Sequence, residues 1–535
     1  MIHTHTRSVR AKVFDVWRSP GRFTKNPDLV QLPSGRLLFV YSDTDAHWAQ
    51  KSEVITLVAS DDGGKSWFKF KEVARAEQPR DERLVTPRLS RLNDGRLIVI
   101  CDHDDFTYFH ESQGSGNWAW WSEDDGVTWS EHQVTGILGF EPDRMMDLPD
   151  GSLGVASHIL LGESQEFADI LSVSENGGKT WKRRSIIAHD GYHRFCEGAL
   201  VILHGGKRLA CVLRENHSAG IPSFVTFSDD CGQTWTEAQR CPFALHRPYA
   251  KQLADGRVLV TGRHVNGGLG CYGWVGDLEK EAGDYAVGGP RRKFYADLAN
   301  GALTIRNAPE HECRYTLLPP ESSRSEVDFE ARLSVEGPPD EPVAFLSVSS
   351  LQPLGGNGVL RIASNWIAFS SDRPDKKVAI DLTQERTISI QHRGGLLDIR
   401  VDGETLVYGC VFQGGLPLPD FHGGNPERRT QFGQFGETGA SRWKSVFYSV
   451  KNPNHPDFNW AWKAASGRWP DQYQRDRMIQ IHANHPDQKP NPDHGYSSWV
   501  VLDDGRIMFV DYTNCGDPAG QSHIVGVFLD PSDLS

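Results

Sequence analysis

Short runs rich in β-branched and apolar residues, each opened by a glycine-bearing turn, recur through the first half of the chain and again at its end. Arg96-Leu-Ile-Val-Ile-Cys101 and Arg257-Val-Leu-Val-Thr261 are examples with the composition of strands. The turns are of one kind: Leu32-Pro-Ser-Gly35-Arg-Leu, Leu92-Asn-Asp-Gly95-Arg-Leu, Leu148-Pro-Asp-Gly151-Ser-Leu, Leu203-His-Gly-Gly206-Lys-Arg-Leu, Leu253-Ala-Asp-Gly256-Arg-Val and Leu502-Asp-Asp-Gly505-Arg-Ile. They predict six hairpins.

A second turn interleaves with the first. Ser60-Asp-Asp62-Gly-Gly64-Lys-Ser-Trp67, Ser122-Glu-Asp124-Asp-Gly126-Val-Thr-Trp129, Ser174-Glu-Asn176-Gly-Gly178-Lys-Thr-Trp181 and Ser228-Asp-Asp230-Cys-Gly232-Gln-Thr-Trp235 share one pattern, Ser-x-Asp/Asn-x-Gly-x-x-Trp. In such a turn the Asp or Asn bonds its own backbone, the glycine supplies a positive φ and the Trp packs underneath. Two hairpins in every ~50 residues make a four-stranded sheet, the blade of a propeller. Six such units imply six blades.

The turn glycines at 35, 95, 151, 206 and 256 are evenly spaced, but the sixth lies at 505. Within that gap, residues 285–435 alternate on their own, as in Val327-Asp-Phe-Glu-Ala-Arg-Leu333 and Arg386-Thr-Ile-Ser-Ile-Gln391. This predicts an antiparallel sandwich inserted into blade five, a jelly roll of the concanavalin or laminin-G kind. The expected division is 1–284 for blades one to five, 285–435 for the insert, and 436–535 for the rest of blade five and blade six. Residues 443–449 are expected to complete blade five, and residues 9–17 to close the ring against the last blade.

Charge narrows the partners. Lys and Arg number 57 against 70 Asp and Glu, a net charge of −13, so the chain lacks the basic footprint that nucleic acid or an anionic membrane requires. The 53 Gly and 30 Pro favour many short strands over long helices. No run of about 18 apolar residues is present and the first residues lack the plan of a signal peptide, so a cytoplasmic location is expected. The nine Cys are odd in number and form no CxxC; they are expected to act as small buried hydrophobes. No phosphate-loop, dinucleotide, zinc or EF-hand spacing occurs, so neither metal nor cofactor is expected.

The Ser-x-Asp-x-Gly-x-x-Trp turns resemble the Asp-box (BNR repeat) of the sialidase-like propellers, over roughly residues 1–285 and 440–535. The resemblance implies a pocket on the propeller axis, lined where the innermost strands begin and the second strands end. Cys196-Glu197-Gly followed by Leu213-Arg214 is similar to the sialidase segment in which a Glu activates a Tyr nucleophile and an Arg binds the substrate carboxylate; Gly495-Tyr496 is similar to the segment that carries the Tyr. Arg442 matches a further Arg of the carboxylate-binding set. Two positions depart from the sialidase pattern. Lys25 stands where an Arg is expected, and Ala49 stands at the general-acid Asp, with Asp45 and Glu53 nearby. The expectation is therefore a relative of the sialidases and not a true sialidase.

Other polar residues recur at equivalent places: Asp102, His103, Asp104, His158, Arg263, His264 and Asp511 at ends of second strands, and Arg88, Arg144 and Arg247 near starts of inner ones. Such a set suits an acidic oligosaccharide. Two chemistries fit. An exo-acting glycoside hydrolase would use Tyr496 with Glu197 as its base, and Asp102, Asp104 or Glu53 as the acid. A polysaccharide lyase acting at a uronate would use Arg214 with His103, His158, His264 or Tyr496. A non-catalytic sugar-binding propeller is the third possibility, and Trp48, Trp118, Trp120 and Trp121, placed in loops, would stack on sugar rings.

Overall fold

The computed structural model describes residues 7–535 other than 50, 77–82, 104–115, 163–165, 192, 217–220, 265–268, 291–294, 307–312, 319–324, 349–358, 370–376, 411–429, 435–436, 454–455, 485–492 and 518. Six antiparallel sheets repeat one plan. Blade one is Phe23–Gln31, Leu37–Thr44, Glu53–Ser60 and Phe68–Ala76 in that order. Blade two begins at Leu84–Arg91, and blade four at Phe195–Leu203; blade three runs from Met146–Asp147 through Leu153–Leu161. In blade six, Phe14–Trp17 pairs antiparallel with His523–Leu529, so the N-terminal strand supplies the outermost position as the sequence leads one to expect.

An apolar cluster bridges every neighbouring pair of blades, which closes the ring. Val40 and Leu57 meet Leu89 and Val99 between blades one and two. Ile98 meets Val155, Leu171 meets Leu200, and Val212 meets Val260 at the next three junctions. Tyr249 meets Trp499 between blades five and six, and Val510 meets Phe39 between six and one. Strands covered on both faces read as continuous apolar runs, and Leu37–Thr44 is buried almost throughout for this reason.

The interleaved turns are self-bonded loops that also join blades. Ser122 Oγ accepts from Gly126 N at 2.9 Å, Asp124 Oδ1 accepts from Thr128 N at 2.8 Å, and Trp129 Nε1 donates to Gly126 O at 3.0 Å. In the third turn Gly178 has φ +94°, and a Cβ there would lie 2.3 Å from Trp121 of blade two. Glycine is thus required twice, for its backbone and for the approach of the neighbouring blade.

Blade five is interrupted. His246–Gln252, Val258–His264 and Gly270–Gly276 are completed by Met478–Ala483, with Arg7–Ser8 added in parallel outside it. Between Gly276 and Met478 lie a seven-stranded and an eight-stranded sheet. They share one core, with Leu346, Ile362 and Phe432 from one sheet against Phe329, Trp443 and Tyr448 from the other. Contrary to the expectation from sequence, residues 443–449 do not complete blade five. They belong to Ala440–Lys451, which pairs with Glu326–Glu336 in the eight-stranded sheet. The reason is alternation: Trp443, Val446, Tyr448 and Val450 all lie on one face and are buried there, and a strand with one apolar face needs a half-buried sheet. The two-sheet unit extends accordingly to Phe458–Lys463.

Candidate active site

One backbone feature recurs in every blade. At the start of the innermost segment a single non-glycine residue adopts a left-handed conformation: Asn26, Thr86, Glu141, Glu197, Arg247 and Tyr496, with φ between 49 and 63°. In five blades the ladder slips at this point, as between Lys25 and Asp28 or between Gly495 and Ser498. A bulge of this kind re-aims a side chain and costs of order 1–3 kcal/mol, which the surrounding structure must overcome. Carboxylates from the preceding blade hold several bulges in place. Asp102 accepts from Glu141 N at 3.0 Å, Asp169 from Gly198 N at 3.0 Å, and Glu197 from Arg247 N at 2.8 Å.

The bulges bring side chains from opposite blades together. Tyr496 Oη donates to Glu141 Oε1 at 2.9 Å. Blades six and three lie opposite in a six-membered ring, so this bond crosses the axis. Glu141 is hydrogen-bonded in turn to Glu197. Glu197 Oε1 accepts from Arg214 Nη1 at 2.6 Å, and Arg214 Nη2 donates to Asn216 Oδ1 at 2.7 Å. Arg247 Nη1 donates to Glu141 O at 3.0 Å and stands 3.8 Å from Glu141 Oε2. The guanidinium groups of Arg247 and Arg263 lie 5.4 and 5.5 Å from the centre of the Tyr496 ring.

The two carboxyl groups divide one charge. Burial, together with the negative charge of Glu197, pushes Glu141 up to about 7. Burial also opposes ionisation of Glu197, but Arg214, the hydrogen bond from Glu141 and Arg247 outweigh it and hold Glu197 below the usual carboxylate range. Like charges this close cannot both ionise cheaply, and the arginine decides which one does. Burial and the two carboxyl groups push the Tyr496 phenol well above its ordinary value, so it stands protonated as a donor.

A second wall links blades five, six and one. Arg263 Nη2 donates to Tyr512 Oη at 3.1 Å, and Tyr512 donates to Asp493 Oδ1 at 2.8 Å. Asp493 Oδ2 lies 2.6 Å from His47 Nδ1, and Lys25 Nζ donates to His47 O at 2.6 Å. Lys25 also stands 3.8 Å from Glu53, and burial pulls its ammonium below the ordinary lysine range.

Several expectations need correction. The phenol of Tyr496 meets Glu141 directly, while Glu197 is one hydrogen bond further away. Asp102 is fully buried, accepts from Thr86 Oγ1 at 2.9 Å and anchors a bulge. Asp511 is fully buried too, 2.7 Å from His482 Nε2. Arg442 is exposed in the eight-stranded sheet opposite Thr304 and Ser334, away from the axis. Glu53 is buried and accepts from Leu84 N at 3.1 Å. Asp104 lies outside the described residues.

The three histidines are held in packing arrangements. His103 stacks on Trp118 with centroids 3.6 Å apart, and His132 stacks on that indole at 3.7 Å. His264 lies 4.2 Å from the Tyr272 ring, and His158 stacks on Phe167 at 6.0 Å. Burial pulls His158 down to about 4. Trp118, Trp120 and Trp121 lie in the strand Asn117–Ser122 and not in a loop; Trp48 is exposed. Arg88 and Arg144 are buried, with Arg88 Nη1 4.0 Å from Asp28 Oδ2.

Glu141 is the residue that sequence reasoning missed. The bulge residue stands nine positions before the hairpin glycine in five blades and ten before it in blade three. That one-residue difference hid Glu141 behind Asp143-Arg144. Among the described residues Cys271, His482 and Asp511 bring ligand atoms within 4.8 Å of one another. The cluster is already internally bonded, since Asp511 accepts from Tyr512 N at 2.8 Å besides its contact with His482.

Residues 5–142 and 109–267 match the BNR repeat-like domain. No curated protein sequence matches the chain. It is similar to a solved protein of unknown function from Dyadobacter fermentans, with 18% identity, a TM-score of 0.43, and coverage of 58% of this chain and 95% of that one. A mutant of Trypanosoma rangeli sialidase displaying trans-sialidase activity is similar at 11% identity and TM-score 0.38, over 82% of this chain and 96% of that one. The Penicillium chrysogenum α-L-arabinanase complexed with arabinobiose is similar at 16% identity and TM-score 0.38, over 56% and 92%. The chain thus carries BNR-like repeats, the Asp-box turns, on a propeller of six blades around one axis.

Proposed function

We propose that this protein is an exo-acting glycoside hydrolase that removes the terminal residue of an acidic oligosaccharide, with Tyr496 as nucleophile and Glu141 as its base. The observation that carries the reading is the 2.9 Å hydrogen bond from the Tyr496 hydroxyl to Glu141, with two guanidinium groups against the Tyr496 ring. Ionised Glu141 takes the phenol proton as the Tyr496 oxygen bonds to the anomeric carbon and the glycosidic C–O bond breaks. Arg247 and Arg263 offset the charge that develops on the phenol oxygen. Glu197, kept ionised by Arg214, is a positioning residue that raises the proton affinity of Glu141.

A leaving oxygen also needs a proton. Asp45 is the half-buried carboxyl on the loop after Leu37–Thr44 that accepts from Lys51 N at 3.0 Å, and the reading assigns it that role. Arg214 and Arg263 border the phenol and suit a substrate carboxylate, which guanidinium binds in a fork. The inserted unit is read as a jelly roll of the lectin-like class that braces the ring from outside, as Arg240 Nη2 donating to Leu318 O at 2.8 Å suggests. The stacked and core-packed states of His103, His158 and His264 favour hydrolysis over uronate elimination.

A proton NMR time course on oligosaccharides ending in sialate, glucuronate or rhamnose–glucuronate tests the reading. The expected result is a released acidic sugar with an intact ring, first seen in the anomeric form of the substrate, and abolished by Tyr496→Phe. A vinyl proton of an unsaturated uronate, or inversion of the anomer, would overturn it.

A further inference from the structure

We propose that the end of the axial channel opposite the Tyr496 funnel is a second ligand site, one that takes a small ring bearing a carboxylate, such as a sugar acid. A cavity of about 500 Å³ opens there, lined by Ser90, Arg144, Met145, Tyr249, Lys251 and Trp499 among others. These residues follow the bulges on the same inner strands. Tyr249 and Lys251 lie beyond Arg247, and Trp499 lies beyond Tyr496. At about 3.3 Å per residue, the cavity is displaced roughly 7–13 Å along the axis from the bulges.

Three donor atoms lie behind the lining without acceptors. Ser90 Oγ, Arg144 Nε and Trp499 Nε1 are buried and make no hydrogen bond. Arg144 Nη2 donates to Ala250 O at 3.2 Å, and its Nε stands 3.8 Å from Asp143 Oδ1. Lys251 Nζ contacts Trp499 O at 3.5 Å. Of the acids, Asp147 lines the cavity, and its Oδ2 already accepts from Asn93 N at 2.8 Å. Three basic side chains, Arg91, Arg144 and Lys251, line the cavity against one acid, Asp147, so it suits an anionic, acceptor-only partner, and a carboxylate is one.

The remaining wall is aromatic. Tyr249 and Trp499 pack with centroids 5.7 Å apart, Arg144 lies 4.1 Å from the Tyr249 ring centre, and Lys251 lies 5.1 and 5.7 Å from the two rings. Flat apolar faces beside fixed donors are how proteins hold a single hydroxylated ring by one side and one acidic group. The volume has room for one or two rings and not for a polymer. The site shares no residue with the proposed reaction and stands or falls separately from it.

The indole ¹⁵N–¹H resonance of Trp499, assigned by its loss in Trp499→Phe, reports on this cavity. Glucuronate is the probe and glucose the uncharged control. The expected result is a saturable movement of that resonance by glucuronate, with glucose weaker by about ten-fold or more. In a Ser90→Ala/Lys251→Met variant the glucuronate affinity falls by about ten-fold or more, and in Tyr496→Phe it is unchanged. If the double variant does not fold, Lys251→Met alone makes the comparison, because Lys251 is only half-buried. No saturable movement, equal response to glucose, or unchanged affinity in the Lys251 variant would overturn the proposal and leave a water-filled channel.

Discussion

The hydroxyl of Tyr496 donates to Glu141 Oε1 at 2.9 Å across the axis of the ring, joining residues 355 positions apart in the chain. A phenol has little nucleophilicity while protonated, so a base already on its proton is what the proposed chemistry needs. Tyr496→Phe and Glu141→Gln should each lower kcat by about 10²–10⁴, with the thermal midpoint within a few degrees of the parent. Steady-state rates set beside calorimetry decide it; a variant that turns over normally removes its residue from the mechanism.

The proton on Glu141 gives the activity a pH dependence. With Glu141 raised to about 7, kcat/KM should climb as pH rises through that value, and Glu141→Gln should remove this limb from whatever activity remains. A pH–rate profile that stays flat from pH 5 to about 8 in the parent enzyme would contradict the assignment of Glu141 as base.

The same group acts on stability with a definite sign. The folded state holds the Glu141 proton up to about 7, whereas the unfolded chain loses it near the ordinary glutamate value of 4.5, so this contribution is present at low pH and fades as pH rises through 7. His158 has the opposite sign. Buried and held down to about 4 from 6.5, it contributes stability above 6.5 that is lost as pH falls through 4. Each shift corresponds to about 3 kcal/mol, and over roughly pH 4.5–6.5 the two oppose one another. Glu141→Gln should therefore lose stability more steeply on acidification than the parent, read as the denaturation midpoint at several pH values.

Removing the counter-charge of Glu197 should be costly to the fold as well as to turnover. Arg214→Met leaves a carboxylate that is only 4% exposed with its closest cation gone. A stability loss of about 3–5 kcal/mol is expected, and Glu197→Gln in the same background should restore part of it. A double-mutant cycle measured by denaturant unfolding gives the coupling directly; a coupling near zero would mean that Arg247 alone carries the charge.

The blade-to-blade contact at Gly178 offers a purely structural prediction. Gly178→Ala meets both a φ of +94° and the Trp121 ring at 2.3 Å, whereas Gly136→Ala meets a φ of +78° with nothing within 4 Å. The backbone penalty is about 1–2 kcal/mol in either case, and overpacking adds about 1–3 kcal/mol at Gly178 alone. Equal midpoints for the two variants would show that the Trp121 contact relaxes without cost.

Much of this architecture is written locally in the chain. A turn of the form Leu-x-x-Gly and an Asp-box depend on residues that are neighbours in sequence, since a glycine with positive φ and an Asp that bonds the next amides need no distant partner. Their repetition was enough to determine six blades. Even the axial positions follow from counting back from the hairpin glycine, apart from the extra residue that displaces Glu141 in blade three.

Roles across the axis were decided only by the closed ring. Whether Tyr496 meets Glu197 or Glu141 depends on which blades stand opposite, and whether Asp102 and Asp511 face the funnel or the interior depends on the bulge beside them. The chain marks none of this, because a carboxylate that anchors a backbone amide and one that takes a proton are the same residue type. Arg442 shows the same limit from the other side: it was the core of the inserted sheets, with Trp443 and Tyr448 buried in it, that claimed the segment and turned the arginine to the surface. Burial and long-range charge come into being only when distant segments pack, so the division of one proton between Glu141 and Glu197 is a property of the tertiary structure.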